Sequence, residues 1–284
     1  MLGVSVIIPT YKRPTYLKKA IESVFAQTYK DWELIIVGRL DGAQDQTLEV
    51  IRHCQDKGVS IDFIEQHEMG ISSARNMGIE KAKGDYVAFL DDDDCWTPNK
   101  LEIQVKYMEA NPNIGLVYGC VQTYRPVNGQ LKATTLHPRE LPTTLEGIMG
   151  DVWITSSTVM IRKSCLEGMV WFDSRYTISE DWDLWLRFVQ RWKIAGLPNI
   201  LVTTVKDERT SLTSDVIEST RMSIQVLKNL ELANEYKQYK SLRTKHLARL
   251  HYKHSREYLN DQNYWPAAKH FIKALGKGLN YGRR

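Results

Sequence analysis

The chain has 284 residues, 43% of them hydrophobic and 25% charged, the composition of a globular protein large enough to bury a core without metal or disulfide staples. Its four cysteines, Cys54, Cys95, Cys120 and Cys165, show no CxxC spacing and no adjoining histidines, which argues against a zinc site and fits a reducing compartment. No run approaches the roughly 18 apolar residues of a membrane span, and the net charge of +4 divides into +9 from Lys228 onward (13 Lys+Arg against 4 Asp+Glu) and −5 before it.

The opening MLGVSVIIPT lacks a basic leader region and its apolar run stops at Pro9, so Val4–Ile8 is expected to be a core strand, not a signal peptide. Tyr16–Gln27 has helical spacing at Leu17, Ala20, Ile21, Val24 and Phe25. Trp32–Val37 reads as a strand, Gly38–Gln46 as a Gly/Asp-rich loop and Thr47–Cys54 as a helix. Ile61–Ile64 is a third strand, Ser72–Ala82 a third helix broken by Gly84, and Tyr86–Leu90 a fourth, wholly apolar strand. This alternation predicts an α/β fold with a mostly parallel sheet covered by helices on both faces. The loops at Pro9–Pro14, Gly38–Asp45 and Asp91–Trp96 then lie at the carboxyl edge, where such sheets bind ligands. Further on, Val152–Ile161 alternates like a strand, and Asp181–Arg191 carries Trp182, Leu184, Trp185, Phe188 and Val189 at the spacing of a buried helix. From Glu218 nothing resembles a strand; Leu242–Asn260 and Trp265–Leu275 are expected to form helices around an Asn-Asp-Gln-Asn turn.

Two acidic spots carry the candidate chemistry. Asp91–Asp92–Asp93–Asp94 follows the apolar strand directly, and carboxylates at i and i+2 can converge on one hard cation such as Mg²⁺ together with phosphate oxygens. A solvated turn is the alternative reading of the same run. Ser179–Glu180–Asp181–Trp182 stands before a helix, where Ser179 could cap and the carboxylates suit the positive helix end; alternatively Asp181 is a general base. There is no GxGxxG after the first strand and no GxxxxGK[ST], which disfavours dinucleotide and P-loop chemistry.

Taken together, Val4–Tyr11, Ala20–Val24 with Gln27–Tyr29, Gly70–Asn76, Gly84–Asp94 and Glu180–Arg187 resemble, in order, the motifs of glycosyltransferase family 2, inverting transferases of the GT-A fold. The likeness covers roughly residues 3–210. It implies a Rossmann-like transferase domain over 1–215, with a nucleotide-sugar half (1–115) and an acceptor half (116–215), followed by a basic helical extension over 216–284. It implies that Pro9, Thr10, Tyr11 and Arg13 line the nucleotide pocket with Asp92, that Asp41 and Arg75 face base and ribose, and that Asp91 and Asp93 form a DxD pair for Mn²⁺ or Mg²⁺, with Asp93 the principal ligand. Asp181 would deprotonate the acceptor hydroxyl, while Trp153, Glu180 and Trp182 shape the acceptor side. Arg209 would reach the diphosphate. The partners implied are a nucleotide-diphosphate sugar donor and a glycan, lipid-linked or protein acceptor, with no nucleic acid.

One stretch departs from the pattern. Where the family has Val-Asp-Asp-Gly-Ser, this chain has Val37–Gly38–Arg39–Leu40–Asp41–Gly42, lacking the first Asp and leaving the donor base open. The Gln-x-x-Arg-Trp signature of processive synthases is missing, so transfer of a single sugar is expected. The stretch Ala248–Leu275 is similar to one tetratricopeptide-type helical hairpin, expected to pack on its own domain since one unit cannot bury its face alone. The basic tail could also meet an anionic membrane or a second copy, giving a cytoplasmic protein with peripheral contact on a membrane's inner face. Two alternatives stay open: a nucleotide-sugar-binding pseudoenzyme or assembly module working through the tail, and a nucleotidyltransferase.

Overall fold

A computed structural model describes residues 3–40, 42, 46–56, 58, 60–127, 130–138, 140–150, 154–205, 216–260 and 263–277. The N-terminal half is built as the sequence pattern predicts: β1 (Val4–Tyr11), α1 (Pro14–Phe25), β2 (Trp32–Arg39), α2 (Thr47–Gln55), β3 (Ile61–Glu65), α3 (Ile71–Lys81) and β4 (Tyr86–Phe89). β1 pairs in parallel with β2 and β4, and β2 with β3. The strands are apolar on both sides because both faces are covered. Along β1, Val6 and Ile8 join one hydrophobic cluster with Leu17, Ile21 and Val24 of α1, while Ile7 joins the other with Ala74 and Ile79 of α3.

Beyond β4 the sheet becomes mixed. β5 (Asp94–Trp96), α4 (Lys100–Ala110), β6 (Ile114–Val127), β7 (Gln130–His137), α5 (Leu145–Met149), β8 (Met160–Arg162), α6 (Glu180–Phe188) and β9 (Lys193–Val205) follow. The strand order is β3-β2-β1-β4-β8-β6-β9-β5, with β7 paired to β6. β8 runs antiparallel to β4 and β6, whereas β9 runs parallel to β6. The strand expected over Val152–Ile161 is shorter: Ser156–Thr158 forms a 3₁₀ turn and only Met160–Arg162 pairs. Hydroxyls explain the difference, since Thr158 Oγ1 donates to the Thr155 carbonyl at 2.8 Å and such local bonds compete with a ladder. The helix expected to reach Arg191 stops at Phe188 and begins one residue earlier, at Glu180.

Three helices close the chain: α7 (Val216–Asn229), α8 (Lys240–Asn260) and α9 (Tyr264–Gly276). Met222, Ile224, Val226, Leu227 and Leu230 belong to the same cluster as Trp182, Trp185 and Leu186 of α6, and Leu247 of α8 joins them. The hairpin therefore packs through α8 on its own chain, and α9 packs on α8. Lys245, Arg249, Lys253 and Arg256 recur at helical spacing on the exposed side of α8. Among the described residues no helix is long and apolar enough to cross a membrane, and all four cysteines are free.

Candidate active site

The four aspartates after β4 are turned to different surroundings, with Arg13 shared by Asp92 and Asp93 and Ser157 by Asp91 and Asp94. Asp91 accepts from Arg75 Nη2 at 2.7 Å, and its own N–H donates to Ser157 Oγ at 3.1 Å. Asp92 is buried and accepts from Thr10 Oγ1 at 2.8 Å and from Arg13 Nη1 at 3.4 Å. Asp93 lies further out and meets the same Arg13 nitrogen at 3.0 Å. Asp94 opens β5, buried, with the hydroxyls of Ser157 and Thr204 as partners. Mutual repulsion is thus spread over β1, α3, β9 and the Ser156–Thr158 turn. It still leaves its mark on the protonation equilibria. Burial, then neighbouring carboxylates, pushes Asp94 up to about 7. Burial likewise pushes Asp92 to about 7, against the opposing Thr10 hydrogen bond, and raises Asp93, with Asp91 the next cause.

β1 supplies the facing wall. Pro9 and Thr10 end the buried run, Tyr11 is exposed, and Lys12 at φ 56° turns the chain so that Arg13 points back at the aspartates. Lys12 Nζ lies over the Tyr11 ring, 5.2 Å from its centroid. Gly38 of β2 sits opposite Thr10, and a Cβ there would meet Thr10 Cγ2 at 2.8 Å, which accounts for glycine at the point where the sequence departs from the family pattern.

Arg75 links this wall to the second acidic spot. It is 2% exposed. One nitrogen holds Asp91 and the other donates to Glu180 Oε1 at 2.6 Å, while the guanidinium lies 5.0 Å from the Phe172 ring centroid. Burial alone would lower its pKa, but Asp91, Glu180 and Asp181 together hold it above the ordinary arginine range. Phe172 is fixed in turn by Asn76, which donates to its carbonyl at 2.8 Å and accepts from its N–H at 3.0 Å.

At the start of α6, Ser179 takes a left-handed conformation at φ 68°, costly for a non-glycine residue and characteristic of functional sites. The expected cap by its side chain is not made: its Oγ lies 3.3 Å from Ser223 Oγ instead. Asp181 takes that role, accepting from the Trp182 N–H at 2.7 Å, and its other oxygen accepts from Ser156 Oγ at 3.4 Å. Burial first, then Glu180, raises the Asp181 carboxyl well above the usual range, with Arg75 opposing. The Trp182 indole is buried and donates to the Ile148 carbonyl at 2.7 Å.

The structure therefore brings the predicted polar residues together in three bonded groups, Thr10–Asp92–Arg13–Asp93, Asp91–Arg75–Glu180 and Ser156–Asp181. Asp41, Trp153 and Arg209 lie outside the described residues. Sequence reasoning missed Ser156, Ser157, Thr204 and the Asn76–Phe172 clasp. The run of four hydroxyl residues at 155–158 was the available signal. Asp91 and Asp93 keep partly exposed carboxylates, 26% and 41%, the donor type that hard divalent cations take beside phosphates and water. Among the described residues no three His, Cys, Asp or Glu side chains are grouped as a metal site.

The fold is that of the GT-A transferases. Over 97% of this chain and 79% of the other it superposes on Staphylococcus aureus TarS 1–349 in complex with UDP (TM-score 0.67, 19% identity). Over 98% and 76% it superposes on the mannosyltransferase PcManGT of Pyrobaculum calidifontis in complex with GDP-Man and Mn²⁺ (TM-score 0.65, 17% identity). Residues 5–165 match Glycosyl transferase family 2, and the chain belongs to that family. Among its relatives is an uncharacterized glycosyltransferase of Methanocaldococcus jannaschii, 32% identical over 66% of this chain and 64% of that one. Another is the Escherichia coli UDP-Glc:alpha-D-GlcNAc-diphosphoundecaprenol beta-1,3-glucosyltransferase WfgD, 29% identical over 68% and 72%. The chain spans only 15% of the length of a Rickettsia bellii glycosyltransferase to which it is 44% identical over 108 residues.

Proposed function

We propose that the chain transfers a single sugar from a nucleotide-diphosphate donor to an acceptor hydroxyl with inversion at the anomeric carbon. The observation that carries this reading is the Asp91–Arg75–Glu180 bridge. It holds the turn that suits a donor diphosphate at a fixed place relative to Asp181, the neighbour of Glu180, so donor and acceptor groups are pre-positioned by one buried guanidinium. Asp181 accepts the acceptor O–H proton. The freed oxygen pair forms the new bond to the anomeric carbon as the bond to the diphosphate oxygen breaks, and the nucleoside diphosphate leaves with that electron pair. The raised pKa of Asp181 suits this role, because a base works best with a pKa near the operating pH. Asp93 and Asp91 would hold Mn²⁺ or Mg²⁺, which when bound neutralises charge on the departing diphosphate. Thr10, Tyr11, Arg13 and Asp92 belong to the nucleotide side, and Glu180 and Trp182 to the acceptor side. WfgD's acceptor, a sugar on a lipid diphosphate, supports a lipid-linked glycan as the acceptor class here.

A donor screen tests this. The protein is incubated with uridine, guanosine and deoxythymidine diphospho-sugars, with Mn²⁺ or chelator, and nucleoside diphosphate release is scored. The expected result is metal-dependent release from one donor, abolished in Asp93→Ala. No release with any donor in the presence of crude acceptor extracts would instead leave a sugar-nucleotide-binding assembly module.

A further inference from the structure

A cavity of about 110 Å³ lies where α5, α6, α7 and α8 meet. The Trp182 ring, Ser223, His246 and Leu250 line it, and Arg249 and Lys253 stand in its wall from successive turns of α8. Among the described residues no carboxylate lines this cavity, and neither Arg249 nor Lys253 forms an ion pair or hydrogen bond. Two cations one helical turn apart beside an apolar ring are the chemistry of an anion site with room for a carbon skeleton, and the Ser223 hydroxyl in the same wall is already engaged by Ser179 and the Ser219 carbonyl.

Its location decides which anion. The donor's diphosphate belongs with Asp91, Asp93 and Arg13, beyond β4. The cavity borders Trp182 on the first turn of α6, the residue next to Asp181. Ser223 of its wall lies 3.3 Å from Ser179, two residues before Asp181. An anion here lies on the acceptor's side of the base.

We propose that this cavity binds a phosphate or diphosphate group carried by the acceptor, with Arg249 and Lys253 as its cationic clamp. The inference rests on the transferase reading and names the class of acceptor: a phosphorylated one. It also gives the basic tail a task. α8 completes the acceptor site, and the +9 charge of the region from Lys228 onward draws the phosphorylated substrate to it.

The test uses octyl diphosphate as probe, with octanol as the uncharged comparison, in isothermal titration calorimetry of the full chain in chelator. The wild type is expected to bind octyl diphosphate and not octanol. Arg249→Gln/Lys253→Gln should weaken binding at least about tenfold, given the strength of charge-assisted phosphate bonds. Lys245→Gln/Arg256→Gln removes the same charge from the same helix face away from the cavity, and should keep binding within about threefold. Circular dichroism melts confirm that both variants fold. Equal loss in the two variants would overturn the proposal in favour of diffuse charge attraction. No loss in the first would overturn it by placing the probe elsewhere, the donor pocket included. Sedimentation with phosphatidylglycerol vesicles separates the sources of phosphate: vesicle binding that needs Arg249 and Lys253, without octyl diphosphate binding, would overturn the proposal and assign the charges to a membrane surface. Nucleotide release by the wild type without probe binding defeats this inference alone, whereas absence of release from every donor defeats the transferase reading.

Discussion

Asp181 and Arg75 concentrate the chemistry of the site in two side chains with opposite electrostatic histories. Asp181 is partly desolvated and sits beside Glu180, so its carboxyl is raised; in the proposed role of base it must be ionised. The transfer rate is therefore expected to fall as pH drops through this raised pKa, placing the acid limb of kcat/KM above the ordinary carboxylate range near 4. Asp181→Asn should cost about 10²–10⁴-fold in kcat, and the residual rate should lose that acid limb. If the limb persists in Asp181→Asn, the titrating group is another, with Asp92 and Asp94, both near 7, the first suspects. Arg75 is buried between two carboxylates that have no second cation among the described residues. Arg75→Met would strand Glu180 and part of Asp91, and should destabilise the fold by about 3 kcal/mol, the lower end for breaking a buried pair because Asp91 remains partly solvated. Arg75→Lys should recover little of this, since one ammonium cannot present two separated nitrogens to Asp91 and Glu180. Urea unfolding at pH 7 measures both; a lysine variant as stable as wild type would show that charge, not the guanidinium fork, holds the two acidic spots together.

At the scale of elements, α3 matters most, because it carries Arg75 and lies directly on β1. Gly78, one turn after Arg75, is the point of closest approach: a Cβ there would come within 2.4 Å of Ile7 Cγ2, in a side chain that is fully buried. Gly78→Ala gains up to about 1 kcal/mol of helix propensity, but overpacking costs about 1–3 kcal/mol, so a net loss of up to about 2 kcal/mol is expected. The helix should lift and take Arg75 with it, so donor turnover should fall more than the melting temperature alone explains. A Gly78→Ala protein more stable than wild type would mean that Ile7 has room to move. Much of this level was legible beforehand. The run from Val4 to Leu90 has clean alternation of apolar strands and 3.6-periodic helices, and the elements formed there. The Asp91–Asp94 run was legible as a carboxylate cluster at a strand end, but not with its partners, because apart from Arg75 those partners, Thr10, Arg13, Ser157 and Thr204, lie far away in the sequence. The Ser156–Thr158 turn was misread as strand because β-branched and apolar residues flank it on both sides, and local side-chain bonds decided the outcome. Ser179 was misread as a cap because residue type predicts caps only when the backbone enters in the extended region, and here it enters left-handed.

For the whole molecule, the division proposed near residue 215 separates chemistry from charge, yet the hydrophobic core crosses it. Met222, Ile224, Val226, Leu227, Leu230 and Leu247 are all buried against α6 and its neighbours. Uncovering six such side chains at about 1.5–3 kcal/mol each would cost about as much as the 5–15 kcal/mol stability typical of a whole domain. α9 is different. Its buried side chains are Ala267 and Ala274, it packs on α8, and Trp265 and Ile272 stand exposed on its outer side. A chain ending at residue 215 is therefore expected to be insoluble or to melt more than 10 °C below the full chain, about the shift expected for losses of this size in a protein of this length. A chain ending at residue 262 should stay folded, keep α8 in place and retain nucleotide release. Its one internal consequence should fall on His251 and His254, buried in α8, stacked with His270 of α9 or close to it, and held well below the ordinary imidazole range by burial and then by His270. With α9 gone both should titrate closer to 6.5, which histidine NMR shifts would report. A stable, soluble 1–215 fragment would contradict this account, because it would mean that the α6 face finds another cover and that α7 and α8 are an appendage after all.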